Sequence, residues 1–182
     1  MNFENCIKER RSVRKFKEEK ISHEVFEKII ELSRFSPSWK NSQSTRYHII
    51  ESEDKKNKLA DEAVLDFVFN AKTIKRCAAL VVLTSVGKVS GYEEDGSFST
   101  PKNTHWESFD AGIACQTFCL SAYNEGLGSV VLGIFDDAKV KEICSIPEEE
   151  NVSALIAVGY RDGDAKPAPE RLEVKDLLSF EK

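Results

Sequence analysis

Two stretches of this chain, "AALVVLTSV" at 78–86 and "VSALIAVGY" at 152–160, are almost continuously apolar. A strand that alternates apolar and polar positions can leave one face in water. A strand without that alternation must be covered on both faces. These two runs therefore ask for buried strands, and the remaining sequence supplies helices to cover them.

Asn2 is placed to cap a short helix reaching Arg10, with Phe3 and Ile7 on one face. A second helix is expected from Ser22 to about Arg34: Glu24 and Glu27 suit its positive end, and Val25, Phe26, Ile29 and Ile30 make its apolar stripe. "SPSWKNSQS" (36–44) breaks that pattern, and "TRYHIIE" after it has strand character. Asp54 opens a third helical stretch, with Leu59, Ala63 and Phe67 expected on one stripe. Residues 88–104 form a long polar loop, the kind that shapes a site or stays loose.

The longest helix is expected at "HWESFDAGIACQTFCLSAY" (105–123), where Ala111, Gly112, Ala114 and Cys115 leave room for another backbone to approach. Gly126 ends it, because glycine adopts the left-handed C′ conformation without steric cost. "SVVLGIF" then reads as a strand and "DDAKVKEIC" as a capped helix. The tail, 161–182, carries Pro167, Pro169 and many charges, with Leu172, Leu177, Leu178 and Phe180 free to dock on a partner subunit. No repeat or linker divides the 182 residues, so a single α+β domain is expected.

Composition narrows the function. A net charge of −5 and a pI near 5.4 argue against general attraction to nucleic acid or anionic membranes. No apolar run is long enough to span a bilayer and no secretory h-region opens the chain, which points to a cytoplasmic protein. Five cysteines without a CxxC pair fit reduced thiols. Cys115 and Cys119 share a helix face, as packed small residues would. His23, His48 and His105 lie at no ligand spacing from a cysteine, so no metal is expected.

Against that acidic background "RRSVR" (10–14) is conspicuous. Arg10, Arg11, Ser12 and Arg14 combine forked donors with a hydroxyl, a set that matches phosphate oxygens. A solvated surface is the plain alternative, since lysines and glutamates alternate around it. Two further polar clusters, "PSWKNSQS" and the pair Lys166 and Arg171, could join it around one anion. In "NEGLGS" (124–129) the glycines would bare backbone groups to a flat ligand, or only end a helix and turn the chain. No GxGxxG, P-loop, nucleophile elbow or HExxH is present. With no side chain suited to covalent work, an enzyme of this sequence would rely on a cofactor.

In order along the chain, "ERRSVRKF", "SPSWKNSQS", "FVFN" before "CAALVVLTSV", "FDAGIACQTFCLSAYNEGLGSVVLGIF" and "ALIAVGYRDGDAKPAPER" resemble the FMN-dependent nitroreductase family in its short form. The resemblance implies a three-layer α+β fold: a central, mostly antiparallel sheet flanked by helices, in an intertwined homodimer with FMN at the interface. It implies that Arg10, Ser12 and Arg171, with Lys166 as a weaker candidate, hold the FMN phosphate. Arg14 and Asn70 would meet the pyrimidine edge of the flavin. Ser38, Asn41 and Gln43 would reach the neighbouring subunit's flavin, and Glu125, Gly126, Gly128 and Ser129 would line its face. The implied reaction takes hydride from NADH or NADPH to the flavin and on to a nitroaromatic or quinone, in alternating turnover, with loop 88–104 shaping the pocket and the tail embracing the partner. The same fold could serve another acceptor (an enone, a disulfide, a halogenated aromatic) or a non-enzymatic FMN store or redox sensor. Two departures stand out: Ser44 and Thr45 replace the family's proline and aromatic, and "KPAPER" sets Arg171 one residue further from Pro169 than usual.

Overall fold

The computed structural model describes residues 2–165 and 167–181. Lys166 lies outside the described residues. The chain forms α1 (Phe3–Glu9), α2 (His23–Ser33), β1 (Thr45–Ile50), α3 (Glu53–Glu62), α4 (Val68–Ile74), β2 (Ala79–Val86), α5 (His105–Asn124), β3 (Gly128–Leu132), α6 (Asp137–Cys144), β4 (Glu150–Gly159) and α7 (Val174–Leu177). The four strands make one antiparallel sheet in the order β1-β2-β4-β3.

The two apolar runs are its central strands. Leu80, Val82, Leu155 and Ala157 face one core with Leu59, Ile74 and Val140, which α3, α4 and α6 supply. Ala79, Val81, Leu83, Ile156 and Val158 face a second core with Phe26, Ile29 and Phe118 from α2 and α5. The architecture is therefore α+β in three layers, the sheet in the middle. Residues 80–83 are fully buried, and each such side chain stabilises the fold by about 1.5–3 kcal/mol over leaving it in water.

The helix ends follow local chemistry. The Asn2 side chain accepts from the Asn5 N–H, and Asp136 caps α6 by accepting from the Lys139 N–H. Gly126 terminates α5 with φ +82°. The stripe expected through Phe67 is interrupted. Leu65 and Asp66 take left-handed φ of 49° and 57° after α3 ends, so Phe67 caps α4 on a new axis. The loop at 88–104 is tied down rather than loose: Glu107 accepts from the Lys88 N–H at 2.8 Å, and Asp110 accepts from the Ser90 hydroxyl at 2.7 Å. Among the described residues no helix is long and apolar enough to cross a membrane.

Candidate functional site

After α1 the chain runs extended along the sheet edge. The Val13 N–H donates to the Ser129 carbonyl at 3.0 Å, Ser12 pairs parallel with Ser129, and Phe16 pairs antiparallel with Arg161. Two glycines admit this segment. Gly128 and Gly159 are cross-strand partners. A Cβ on Gly128 would lie 2.7 Å from the Val13 side chain, and one on Gly159 would lie 2.9 Å from the Phe16 ring. The glycine at 128, read from sequence as clearance for a flat ligand, is thus filled by Val13.

An extended chain sends alternate side chains to opposite sides. Val13 is buried against the sheet, while Ser12 and Arg14 are exposed on the other side. Arg11 follows Val13. Its Nη1 donates to the carbonyls of Lys8 (2.7 Å) and Arg10 (2.8 Å), closing the end of α1, and its Nε is buried without a partner. Arg10 and Arg14 are four extended residues apart, about 13 Å at 3.3 Å per residue.

The segment pairs parallel with β3 at Ser12 and reaches Arg161, past the end of β4, at Phe16, while Asn70 stands near the far end of β3. Asn70 is 6% exposed, and its Nδ2 donates to the Ile134 carbonyl at 3.0 Å. Past the end of β3 Ile134 is 44% exposed and a Cβ on Gly133 would meet nothing within 4 Å, while Val131, 46% exposed, faces the α5 side of the strand. Gly133 and Ile134 form an open apolar ledge that the sequence reading overlooked; the only signal was the glycine in "VVLGIF". Glu125 and Gly126 lie instead in the turn after α5, beyond the opposite end of β3, a strand about 13 Å long. Ser129 lies between these ends, 2% exposed. The hydrogen bond between Cys115 and Cys119, with burial, pushes the Cys115 thiol far above its ordinary value.

Ser38, Asn41 and Gln43 stand elsewhere. Their loop makes a single 3₁₀ turn at Trp39–Asn41, with left-handed φ at Lys40, Asn41 and Gln43. The Ser38 hydroxyl accepts from the Gln43 N–H at 3.0 Å. Asp110, 2% exposed on α5, accepts from the Trp39 N–H at 2.9 Å as well as from Ser90, so one buried carboxylate clamps both loops. No sequence motif announced it. Trp39 packs on Trp106 with ring centroids 4.5 Å apart, and Trp106 meets Phe109 edge-on. Asp110 and Glu125 are fifteen residues apart, about 22 Å along the helix axis. The loop at 36–44 and the turn at 125–126 therefore stand apart, one at each end of α5. Arg171 joins neither, since its Nη1 bonds the nearby carbonyls of Pro169 and Glu170.

The sequence profile of the nitroreductase family matches residues 7–160. The chain belongs to that family. An oxygen-insensitive NADPH nitroreductase of Helicobacter acinonychis is 28% identical to it, the match covering 87% of each chain. Among solved structures, a nitroreductase family protein of Clostridium novyi NT superposes with a TM-score of 0.77 at 28% identity, covering 89% of this chain and 86% of that one. An FMN-dependent nitroreductase of Clostridium difficile R20291 superposes at 0.78 with 22% identity over 98% of both chains, a likeness of fold. Within this nitroreductase fold, the stretch 10–17 and the ledge at 133–134 border the same sheet edge, and loops 36–44 and 88–104 gather at the start of α5.

Proposed function

We propose that this protein is an NAD(P)H-dependent FMN oxidoreductase that works as a homodimer, each flavin lying between the half-sites of two subunits. The observation that carries the reading is the row Arg10, Ser12, Arg14 set along the edge strand β3, the strand whose far end carries Asn70 and the open ledge. Such a row offers cations at both ends of an elongated, anionic, flat molecule. Family membership and the NADPH- and FMN-dependent relatives point the same way.

The residues fit the group. Arg10 and Ser12 would hold the phosphate, joined by Arg171 from the tail beyond β4 once a second subunit is in place. Arg14 and Asn70 would meet the pyrimidine edge, and Gly133, lacking a side chain, lets the ring approach the backbone of 133–134 closely. Glu125 and Gly126 would then sit behind the phosphate end. Ser38, Asn41 and Gln43 would arrive from the partner. Trp39 Nε1, Ser42 Oγ and Ser44 Oγ are buried without partners in the single chain, and burying polar groups unpaired is costly. A second subunit carrying a flavin would answer them. The outer face of α5, with Phe109 54% exposed and Gly112 open, supplies the helix-to-helix contact.

FMN, when bound, supplies two-electron chemistry. This chain's part is to fix the ring against the ledge, to place a cation at its pyrimidine edge, and to leave one face free. Donor and acceptor, a nitroaromatic or quinone, would take that face in turn, with the aromatic cluster of loops 36–44 and 88–104 as its wall. Purified protein should be yellow and dimeric, and should give parallel double-reciprocal lines with NAD(P)H and acceptor. A colourless monomer that ignores added FMN refutes the reading.

A further inference from the structure

On the side of the 10–17 segment away from Ser12 and Arg14 runs a groove of about 410 Å³, lined by Arg11, Lys17, Tyr123, Tyr160, Arg161 and the backbone of 126–128. Three cations and no carboxylate line it among the described residues, in a chain of net charge −5. Glu9 stands at its rim, accepting from the Tyr123 hydroxyl at 3.3 Å. Asp162 and Asp164 neighbour Arg161 in sequence but line no part of it.

The cations are fixed by backbone, not by ion pairs. The Lys17 N–H donates to the Tyr160 carbonyl at 2.8 Å, and Arg161 bridges to Phe16. This sets Lys17 and Arg161 on adjacent strands. Among the described residues neither forms an ion pair, and the Arg11 Nε–H is buried with no acceptor. A buried donor left unpaired beside two unpaired cations asks for an oxyanion. The two tyrosines offer flat walls for a ring attached to it.

We propose that this groove binds a phosphomonoester, at a site separate from the one proposed for the flavin phosphate. The inference rests on the flavin reading only in placing the two sites on opposite sides of one strand. Two sources share this chemistry: the 2′-phosphate of NADPH and free phosphate compounds.

The test uses protein saturated with FMN, so that the flavin site is filled, titrated calorimetrically with 2′,5′-ADP and with inorganic phosphate. Binding of either ligand is expected, weakened roughly tenfold or more in the double variant Lys17→Gln, Arg161→Gln, with flavin content unchanged. If 2′,5′-ADP binds tenfold more tightly than phosphate, and the double variant loses a preference for NADPH over NADH in kcat/KM, the dinucleotide is the source. Equal binding of the two, sensitive to the variant, assigns free phosphate compounds. The proposal is overturned if neither binds, or if the double variant binds as tightly as the parent. A colourless protein would sink the flavin reading and leave this one standing, provided 2′,5′-ADP still binds and the double variant weakens it.

Discussion

Replacing Gly128 by alanine puts a methyl carbon 2.7 Å from Val13 Cβ and Cγ2 and 2.9 Å from Cγ1. Carbon atoms rest at about 3.5–4.0 Å, so one side must yield by about 1 Å. Val13 is β-branched, stiff at χ1 and 9% exposed, and cannot swing away. The backbone at 128 is not left-handed, so alanine adds no torsional cost and the contact acts alone. A 1 Å retreat of the segment stretches the 3.0 Å bond from the Val13 N–H to the Ser129 carbonyl beyond hydrogen-bonding range. Overpacking costs about 1–3 kcal/mol and the lost bond about 1, so the variant should be about 2–4 kcal/mol less stable in urea unfolding. It should also retain FMN poorly, because Ser12 and Arg14 move with the segment. Val13→Gly alone loses packing, but combined with Gly128→Ala it removes the collision, because the Cβ and both Cγ atoms of Val13 are gone. The double variant should therefore be more stable than the summed singles by about 0.5–3 kcal/mol. Strict additivity of the two changes, or a Gly128→Ala protein as stable as the parent, refutes the packing argument.

Arg14→Gln should weaken FMN binding and lower its midpoint potential by about 30–60 mV, the equivalent of a 1.5–3 kcal/mol charge-assisted contact, as read by dye-coupled titration. Asp110→Ala removes the acceptor for Trp39 and Ser90 and should cost about 3 kcal/mol or more, with new tryptic cleavage within 36–44 and 88–104. Burial raises the Glu150 carboxyl, but hydrogen bonds from Thr84 and His48 outweigh it and leave the group below 4.5. Its contribution is thus complete above that pH and disappears as pH falls through the folded value; Glu150→Gln should flatten the acid limb of a stability–pH curve below about 4.5. Burial pushes the Cys77 thiol up to about 12 and the Cys144 thiol up to about 11, so iodoacetamide at pH 8 should leave both unmodified in native protein by mass spectrometry.

What the sequence made legible was what short-range pattern encodes. The two unbroken apolar runs announced buried central strands, and Gly126 announced the end of α5. The break at Leu65–Asp66 escaped because leucine disfavours left-handed backbone and one aspartate, though it tolerates that conformation, does not announce it. The ledge at 133–134 escaped for a different reason. Ile134 belongs to an apolar run, and hydrophobicity along a single strand cannot say which end of it the chain leaves uncovered. Asp110 looked like one more charge on a long helix, and its role depends on two loops distant in sequence that fold back upon it. Of the basic cluster, composition marked the charge but not its sorting. Only the extended backbone from Arg11 to Arg14 turns Ser12 and Arg14 one way and Arg11 the other.

The separation of the two half-sites has a consequence for binding. If each flavin bridges Arg14 of one subunit and Ser38 of another, FMN has more contacts in the dimer than in the single chain. By linkage, the dimer must then bind FMN more tightly, and FMN must tighten the dimer by the same free energy. The exposed apolar surface of the single chain belongs to the same balance, since Phe35, Phe109, Leu177 and Phe180 are 72%, 54%, 70% and 83% exposed. Large apolar side chains left this exposed are the kind of surface a second subunit would cover. On the proposed dimer, one association would complete the cofactor ligands and cover the apolar faces together, and the row of arginines along β3 and the bare face of α5 would be halves of one design.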